Sequence, residues 1–314
     1  MLAVCQSDGG IDEVQLVEVV RLAESDAVTL RSATPDDAEK IYAVHLSNGE
    51  VDEWRGVPEC RDQVGWMGQF DAASVVAEVG GAIVGEMKVW WGEDVPDLGS
   101  TLDVSTLYVH RDCQHKGIGR RLLGWALASA RQHSCERVTV WCNEDSELFY
   151  RKCGFKDGLL LQRFLASPSS IMDTEMSEVH LGEIDNPAGR PLLTHRILHP
   201  SQRWRDLLWQ QANVPVLLAG EERRSVLSFS SKGGALAVFR LHHWENDLTK
   251  AELYLWCSGA TDLALSSCLV QGARLGLQTL SILAYGEVAQ IAAANGWEDV
   301  GESERVLALQ VRAA

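Results

Sequence analysis

A repeat of domain length constrains the fold of this chain more than any other feature of its sequence. An apolar strand-like segment and a short helical segment end at Gly154-Phe155, and the same succession ends again at Gly296-Trp297, 142 residues later. A repeat of this length is that of a whole domain rather than of a solenoid unit. With 314 residues, the chain is long enough for two such domains, each with its own core. We therefore predict a tandem duplication.

The hydrophobic pattern predicts strands and helices in mixed order. Residues 74–79 and 83–91 form a predicted hairpin around Gly80-Gly81, residues 100–109 form a third strand, and a long amphipathic helix begins at Gly117. The predicted fold class is α/β with a mixed sheet. The predicted parts are an N-terminal extension over residues 1–26, a first domain over residues 27–166, a linker over residues 167–190 and a second domain over residues 191–314.

Charge and cysteine usage exclude several kinds of partner and site. The chain has 28 Lys and Arg against 44 Asp and Glu, a formal net charge of −16. Such a charge repels nucleic acid and anionic membranes, and no apolar run is long enough to cross a bilayer. Residues 1–26 are acidic where a signal peptide is basic and then apolar. The 8 cysteines include no CxxC pair, so neither a metal site nor a redox dithiol is expected. We expect a cytoplasmic protein.

A basic loop with two glycines joins the predicted third strand to the long helix. Gly117 and Gly119 allow a bulky anion to approach the backbone, and the start of the helix offers unpaired N–H groups. The cations around them are Arg111, Lys116, Arg120 and Arg121, against the single acid Asp112. The loop lacks the third glycine of a dinucleotide-binding loop and the GK[ST] of a P-loop. It is predicted to bind the phosphates of another anionic ligand.

This loop resembles the pyrophosphate loop of the GNAT N-acetyltransferase superfamily. The family pattern Q/R-x-x-G-x-G/A stands here as Gln114-His-Lys-Gly-Ile-Gly119. A second segment, from Asn143 to Phe155, is similar to the family's N-x-x-A/S-x-x-x-Y-x-x-x-G-F pattern and lies at the expected distance. The clear resemblance covers residues 28–164. Together with the repeat, this resemblance implies a tandem GNAT-like protein, and its two-domain architecture resembles that of mycothiol synthase.

The resemblance implies that acetyl-CoA is the co-substrate and lies in a V-shaped split between the strands that end at Val109 and Cys142. It implies that Tyr150 protonates the departing thiolate. A carboxylate near the central strands would take the proton of the amine, and Asp103, on the strand face of Leu107, is our candidate, with Glu86 the next choice. The implied binding residues are Leu107, Val109, Gln114, His115, Lys116, Gly117, Ile118, Gly119, Arg120, Asn143 and Ser146.

Simpler roles for three of these residues stay open at this point. Asn143 is also a suitable cap for the helix that follows it, and Tyr150 is also a suitable core aromatic. Asp103 is also compatible with an exposed or salt-bridged acid.

The second half lacks the residues of the two GNAT motifs, the phosphate loop and the segment from Asn143 to Phe155, at the positions that would bind the cofactor or donate a proton. After Trp256, residues 257–262 contain neither a glycine pair nor a cation. The positions equivalent to Asn143 and Tyr150 are Tyr285 and Ala292. We therefore predict that the second half keeps the fold without the active site, and that acetyl-CoA binding depends on the first half alone.

The expected function is transfer of acetyl from acetyl-CoA to a primary amine by direct attack in a ternary complex. Acids lie in segments that the family fold places at the mouth opposite the loop, so we expect a small cationic acceptor. These residues are Glu50, Asp52, Glu53, Glu93, Asp94 and Asp97, with Trp54, Trp90 and Trp91 as flat neighbours. The alternatives are a mycothiol-synthase-like enzyme, a protein or peptide acetyltransferase, and a non-catalytic acetyl-CoA sensor. No nucleic acid or membrane partner is expected, and no oligomer is required because the tandem can act as a pseudo-dimer.

Overall fold

The computed structural model describes residues 27–49, 56–67, 72–95, 98–168, 180–183, 225–232, 235–244, 247–257 and 261–311. Its strands are β1 (Thr29–Ser32), β2 (Ala72–Val79), β3 (Ala82–Val95), β4 (Gly99–Val109), β5 (Arg137–Cys142), β6 (Lys156–Ala166), β7 (His180–Glu183), β8 (Ser225–Lys232), β9 (Ala235–Trp244), β10 (Asp247–Cys257), β11 (Thr279–Ala284) and β12 (Glu298–Gln310). Its helices are α1 (Ala38–Ser47), α2 (Val57–Met67), α3 (Ile118–Gln132), α4 (Glu144–Lys152), α5 (Thr261–Arg274) and α6 (Gly286–Ala294). The predicted mixed α/β class is confirmed.

These strands form a single mixed sheet with helices packed on it. Ile118, Leu122 and Ala126 of α3 lie one helical turn apart and pack, fully buried, against Leu102 and Val104 of β4. The opposite face of β2 and β3 is covered by α1 and α2, whose buried apolar side chains form a second cluster. The first half is therefore a three-layer unit in which both faces of the central strands are covered.

The two halves exchange their last strands within the sheet. The strand order is β1-β2-β3-β4-β5-β12-β6-β11-β10-β9-β8-β7. β12, from the end of the chain, lies antiparallel between β5 and β6, and β6, from the first half, lies between β12 and β11. Leu307, Leu309 and Val311 consequently pack in the core under α3. Each half completes the sheet of the other.

The domain-length repeat is confirmed at the level of the elements. β5 and β11 each have six residues, α4 and α6 each have nine, and both pairs begin 142 positions apart. β6 and β12 also begin 142 positions apart. Phe155 and Trp297, which follow the two short helices, are both 3% exposed. The repeated Gly-aromatic pair thus marks equivalent core positions.

The strand exchange was not expected from the sequence. β12 begins with a polar stretch, and its apolar residues do not alternate strictly. Its sequence pattern therefore does not show whether β12 pairs with strands of its own half or of the other half. Leu307 of β12 is fully buried in the core of the first half, so the packing of that half includes a strand from the second. That acetyl-CoA binding depends on the first half alone stays a prediction.

Several predicted parts lie wholly or partly outside the described residues. Residues 1–26 and 191–224 are not described, and β7 lies within the predicted linker over residues 167–190. The three boundaries between the four predicted parts remain predictions. In the described ranges, every helix is too short or too polar to span a membrane.

Candidate active site

A split opens in the first half where β4 and β5 separate. The two strands pair in parallel only from Thr101 to Val104 on β4 and from Arg137 to Val140 on β5. β4 continues to Val109 in contact with β3. The last five residues of β4 therefore have one edge without a strand partner.

A bulge in β4 lies just beyond this separation. The register between β3 and β4 shifts between Lys88 and Val89, so that Ser105 is one extra residue on β4. A single extra residue reverses the alternation of side chains. Leu107 packs in the core under α3, whereas Asp103 lies on the opposite face, the face of α1 and α2. The expectation that Asp103 and Leu107 share a face is wrong because of this bulge.

The backbone of β4 directs polar groups into the split. The N–H of His110 donates to the carbonyl of Val84, so the alternation of an antiparallel ladder makes Leu107 and Val109 the residues whose N–H and C=O point away from β3. The carbonyl of Val109 accepts hydrogen bonds from the Asn48 and Gln114 side chains at 3.2 and 3.3 Å. Leu107 and Val109 thus direct backbone polar groups into the split, and their role in binding stays a prediction.

The predicted phosphate loop has the backbone of an anion site. His115 and Gly117 have φ values of 61° and 81°, and α3 begins directly after Gly117. The first backbone bond of the helix runs from Arg121 N–H to the Gly117 carbonyl at 3.1 Å. The N–H groups of residues 118–120 therefore have no acceptor within the helix. Lys116 stays at the loop, where its Nζ donates to the Asp112 carbonyl at 3.1 Å.

The start of α3 packs closely against α4. A Cβ at Gly119 would lie 3.0 Å from Cζ of Phe149, whereas a Cβ at Gly117 would meet nothing within 4 Å. Burial raises the pKa of the Cys153 thiol just after α4, and the nearby Arg120 guanidinium partly offsets that rise. Gly117 is therefore required for its φ and Gly119 for close packing. Phe149 was not singled out from the sequence, since nothing in its local pattern shows that it reaches Gly119.

Asn143 caps α4 and keeps its amide nitrogen uncommitted. The Asn143 Oδ1 accepts from the Ser146 N–H at 3.0 Å and from the Ser146 hydroxyl at 2.7 Å. No described residue accepts a hydrogen bond from the Asn143 amide N–H₂. The capping role of Asn143 is confirmed, and it uses only the side-chain oxygen. The side-chain N–H₂ can therefore still donate to a ligand. The Ser146 hydroxyl is engaged in the cap, and its role in binding stays a prediction.

Tyr150 is buried on the face of α3 and α4. It is 6% exposed, and its ring contacts Phe149 and Phe155 edge-on at centroid distances of 5.1 and 5.5 Å. Burial raises the pKa of the Tyr150 phenol, and its electrostatic interactions with Cys142, Tyr108 and Asp103 raise that pKa further. Within the described part of the chain, its hydroxyl has no hydrogen-bond partner. Tyr150 is therefore a core aromatic, and burial keeps its hydroxyl protonated.

Two buried carboxylates lie on the face of α1 and α2. Asp103, 3% exposed, accepts a hydrogen bond from the Thr139 hydroxyl at 2.7 Å. Glu86, fully buried, is held by the Ser74 hydroxyl at 2.7 Å and lies 2.9 Å from Nε2 of His45. Protein groups hold both Glu86 oxygens, and Asp103 stays our candidate for the base. Asp103 is 3% exposed, so it is not the exposed acid that its sequence position also allowed.

The predicted aromatic surface at the acceptor mouth is wrong for two of its three members. Trp90 is fully buried with Met67 and Ala72. Trp91 stacks on His133 at 4.5 Å and donates from Nε1 to the Ser129 hydroxyl at 2.8 Å, both at the end of α3. Alternation along β3 sends them to opposite faces, where each packs on a helix. Residues 50, 52–54 and 97 and the side chains of Glu93 and Asp94 lie outside the described part.

The second half repeats the split with a much shorter connection. β10 and β11 pair in parallel only over residues 250–252 and 279–281. β4 and α3 are separated by residues 110–117, whereas β10 and α5 are separated by residues 258–260 alone. Tyr285 is the N-cap of α6 without a side-chain cap bond, and Ala292 is buried, as the sequence comparison places them. Among the described residues of the second half, none corresponds to the loop over residues 110–117 or to the Tyr150 hydroxyl.

Comparisons with known proteins agree with this geometry. Residues 71–157 match the model of the acetyltransferase (GNAT) domain. Over 147 residues, 41% of this chain and 79% of the relative, the chain is 30% identical to the Mycobacterium tuberculosis protein named Probable N-acetyltransferase Rv2775.

Solved structures extend the likeness over both halves. A tandem GNAT protein from the clavulanic acid biosynthesis pathway matches with a TM-score of 0.52 and 15% identity, covering 92% of this chain and 100% of that chain. A glucosamine N-acetyltransferase region of a fungal multidomain β-N-acetylglucosaminidase matches with a TM-score of 0.53 and 16% identity, covering 90% of this chain and 38% of that chain. At these identities the two structures show the shared fold.

Proposed function

The chain belongs to the GNAT acetyltransferase family and is an N-acyltransferase, and we propose that its first half transfers acetyl from acetyl-CoA to a primary amine by direct attack in a ternary complex. The observation that carries the proposal is the separation of β4 from β5 beside the αL glycine that starts α3. A thioester and a phosphate-bearing carrier need these two features side by side.

The residues present fit acetyl-CoA along the whole split. The N–H groups at the start of α3, with Lys116 and Arg120 nearby, suit the pyrophosphate. The outward N–H and C=O groups of Leu107 and the outward N–H of Val109 suit the amides of the pantetheine arm, as does the Asn143 amide. When bound, acetyl-CoA supplies the acyl group as an activated thioester. The protein's task is to orient it and to move two protons.

Tyr150 is the proposed donor of the proton that the leaving thiolate takes up. Its phenol is held in its protonated form by burial, and its hydroxyl is not engaged by any described residue. A phenol, with an ordinary pKa of about 10, stays protonated at neutral pH and can hand its proton to the thiolate as it develops, although a free thiol, with a pKa of about 8.5, is the stronger acid. General acid catalysis of this kind contributes about 10²-fold or more.

Asp103 is the proposed acceptor of the amine's proton. Its face is that of α1 and α2, opposite the face on which Tyr150 is buried. The amine would then approach from one face of the sheet while the thiolate departs towards the other. Proton removal and proton donation would then take place on different faces of the sheet, while the Asp103 charge still reaches Tyr150 and raises the pKa of its phenol.

The acceptor is proposed to be a small cationic amine, a polyamine, an aminoglycoside or the basic end of a peptide. The support is the formal net charge of −16 and the acids that precede α2 and end β3 in sequence. The fungal structural neighbour is described as a glucosamine N-acetyltransferase region, and glucosamine is a small amine.

A screen of amines with acetyl-CoA, read as release of free thiol, tests the function. Turnover with cationic amines, lost in Tyr150→Phe and Asp103→Asn, is the expected result. Tight acetyl-CoA binding without turnover of any amine or peptide would instead identify a sensor. Turnover confined to anionic acceptors would overturn the acceptor assignment while leaving the reaction in place.

A further inference from the structure

The hydroxyl of Thr139 is aligned on Asp103 by the sheet itself. In the parallel pairing of β4 with β5, Asp103 stands opposite Thr139. Both side chains are buried, at 3% and 2% exposure, and the Thr139 Oγ1 donates to the Asp103 Oδ1 at 2.7 Å. The bond joins the two strands at the pair before the last, Val104 and Val140 being the final pair before they separate. It therefore fixes a carboxylate at the base of the split.

The second half contains the same pair of positions with different chemistry. Glu252 of β10 stands opposite Ser281 of β11 in the equivalent parallel register. Glu252 there forms an ion pair with Arg163 at 3.6 Å, and Arg163 also contacts Glu302 and Glu304 at 3.1 and 2.8 Å. The carboxylate of the second half is part of an ion network.

The arginine of that network has an apolar counterpart in the first half. Arg163 lies opposite Leu283 on β11, and Val306 lies opposite Trp141 on β5, two equivalent positions of the exchanged strands. The first half thus places a hydroxyl against its carboxylate and an apolar side chain where the second half places an arginine. The duplication keeps the acid in both halves, and the residues around it on the neighbouring strands differ between them.

We propose that Thr139 is a positioning residue for Asp103, a role that rests on the proposed function of Asp103 as the base. A hydroxyl that donates to one carboxylate oxygen orients the other and favours the ionised form over the acid. A base in the ionised form at neutral pH is what the reaction requires. The geometry gives Thr139 no contact with the reacting atoms, so its effect passes through Asp103.

Other charged groups share the face of Asp103 and stay constant in the test. Alternation along the strands places Glu86 and Lys88 of β3 and Arg137 of β5 on that face. His45 of α1 lies 2.9 Å from Glu86, and Tyr150 interacts electrostatically with Asp103. The α2 side chains Arg61 and Asp62 are exposed. Because none of these is altered, a change in the pH profile on substitution of Thr139 reports the hydroxyl.

The experiment compares the pH dependence of kcat/KM in Thr139→Val and Thr139→Ser with the same amine acceptor. Thr139→Val keeps the volume and removes the donor, so its acidic limb should move up by about one pH unit, with a loss of about tenfold at pH values on that limb and no loss at pH values well above it. Thr139→Ser keeps the donor and should retain the limb of the unaltered protein. Ser281→Ala, at the equivalent position of the second half, should leave the profile unchanged.

The outcomes separate this inference from the proposed function. If Asp103→Asn keeps full activity, the base has been misassigned and the proposed function of Asp103 fails. The inference is overturned if Asp103→Asn is inactive while the acidic limb of Thr139→Val does not shift. It is also overturned if kcat/KM of Thr139→Val falls by the same factor at every pH, because Thr139 then has a structural role only. Thermal unfolding of each variant confirms that it folds, and Thr139→Ser remains informative if Thr139→Val does not.

Discussion

Tyr150 and Asp103 lie on opposite faces of the sheet, next to the point at which β4 and β5 separate. Tyr150 is buried with the core under α3 and α4, and Asp103 is on the side of α1 and α2. A gap between two strands is open to both faces. The structure thus allows a proton to be removed on one side and delivered on the other without direct contact between the two groups.

Replacing Tyr150 with Phe should lower kcat by about 10²-fold or more while the affinity for acetyl-CoA barely changes, because only the donated proton is lost. Steady-state kinetics and calorimetry measure the two quantities. Since burial raises the pKa of Tyr150 above its usual value near 10, kcat should show no alkaline loss from this group between pH 7 and 9. Tyr42→Phe in α1 is the matched control. An unchanged kcat in Tyr150→Phe would remove Tyr150 from the mechanism.

Gly117→Ala should weaken acetyl-CoA binding by roughly tenfold, because a side chain at a φ of 81° is strained by about 1 kcal/mol or more. Gly119→Glu should abolish binding, since it adds bulk against Phe149 and a negative charge beside the phosphates. Isothermal calorimetry measures both. Gly124→Ala, on the same helix with no atom within 4 Å of the added Cβ, should bind normally. A stoichiometry near two in the unaltered protein would show that the second half also binds acetyl-CoA.

Leu307→Ala should destabilise the first half although Leu307 belongs to the end of the chain. Its side chain is fully buried in the core under α3, so the cavity should cost about 2–5 kcal/mol of unfolding free energy. Denaturant unfolding followed by acetyl-CoA binding measures the effect. Leu248→Ala, at a position 63% exposed, should change stability by less than about 0.5 kcal/mol. Unimpaired stability of Leu307→Ala would contradict the exchanged strand.

Asp37→Asn should lower the unfolding free energy at neutral pH by about 1–2 kcal/mol. The Asp37 carboxylate accepts from Arg31 at 2.7 and 2.8 Å and from the Thr34 N–H at 2.8 Å, and the arginine above all lowers the pKa of Asp37 to about 2 from 3.8. Because the folded state favours the charged form, this stability is present above about pH 4 and is lost as the pH falls towards 2. The unfolding curves of the variant and the unaltered protein should therefore converge in acid. A constant difference down to pH 2 would rule out the ionic contribution.

The KM for a cationic amine should rise with ionic strength, since salt screens attraction by exposed acids. Replacing Glu50, Asp52 and Glu53 with their amides should raise the same KM while kcat stays nearly constant. Initial rates over a salt series measure both effects. An uncharged acceptor analogue, whose KM should not respond to salt, is the control. A KM that salt leaves unchanged would make these acids ordinary surface residues.

The sequence alone was sufficient for the local features of the fold and of the site. Gly117 before an amphipathic helix, Asn143 before a short one and the Gly-aromatic pairs of the repeat are signals carried by neighbouring residues. Helix starts, caps and tight turns depend on such neighbours, because the hydrogen bonds that satisfy them span only a few residues. The loop, the cap and the 142-residue repeat could therefore be predicted.

Only the tertiary structure decided which residues meet across the sheet. The bulge at Ser105 separates Asp103 from the face of Leu107, and β12 crosses into the first half to bury Leu307 there. Thr139 reaches Asp103 from 36 positions away through a parallel pairing. Strand register and strand exchange are set by long-range packing that minimises the exposed apolar area of the whole sheet, and no local pattern in the sequence encodes that choice.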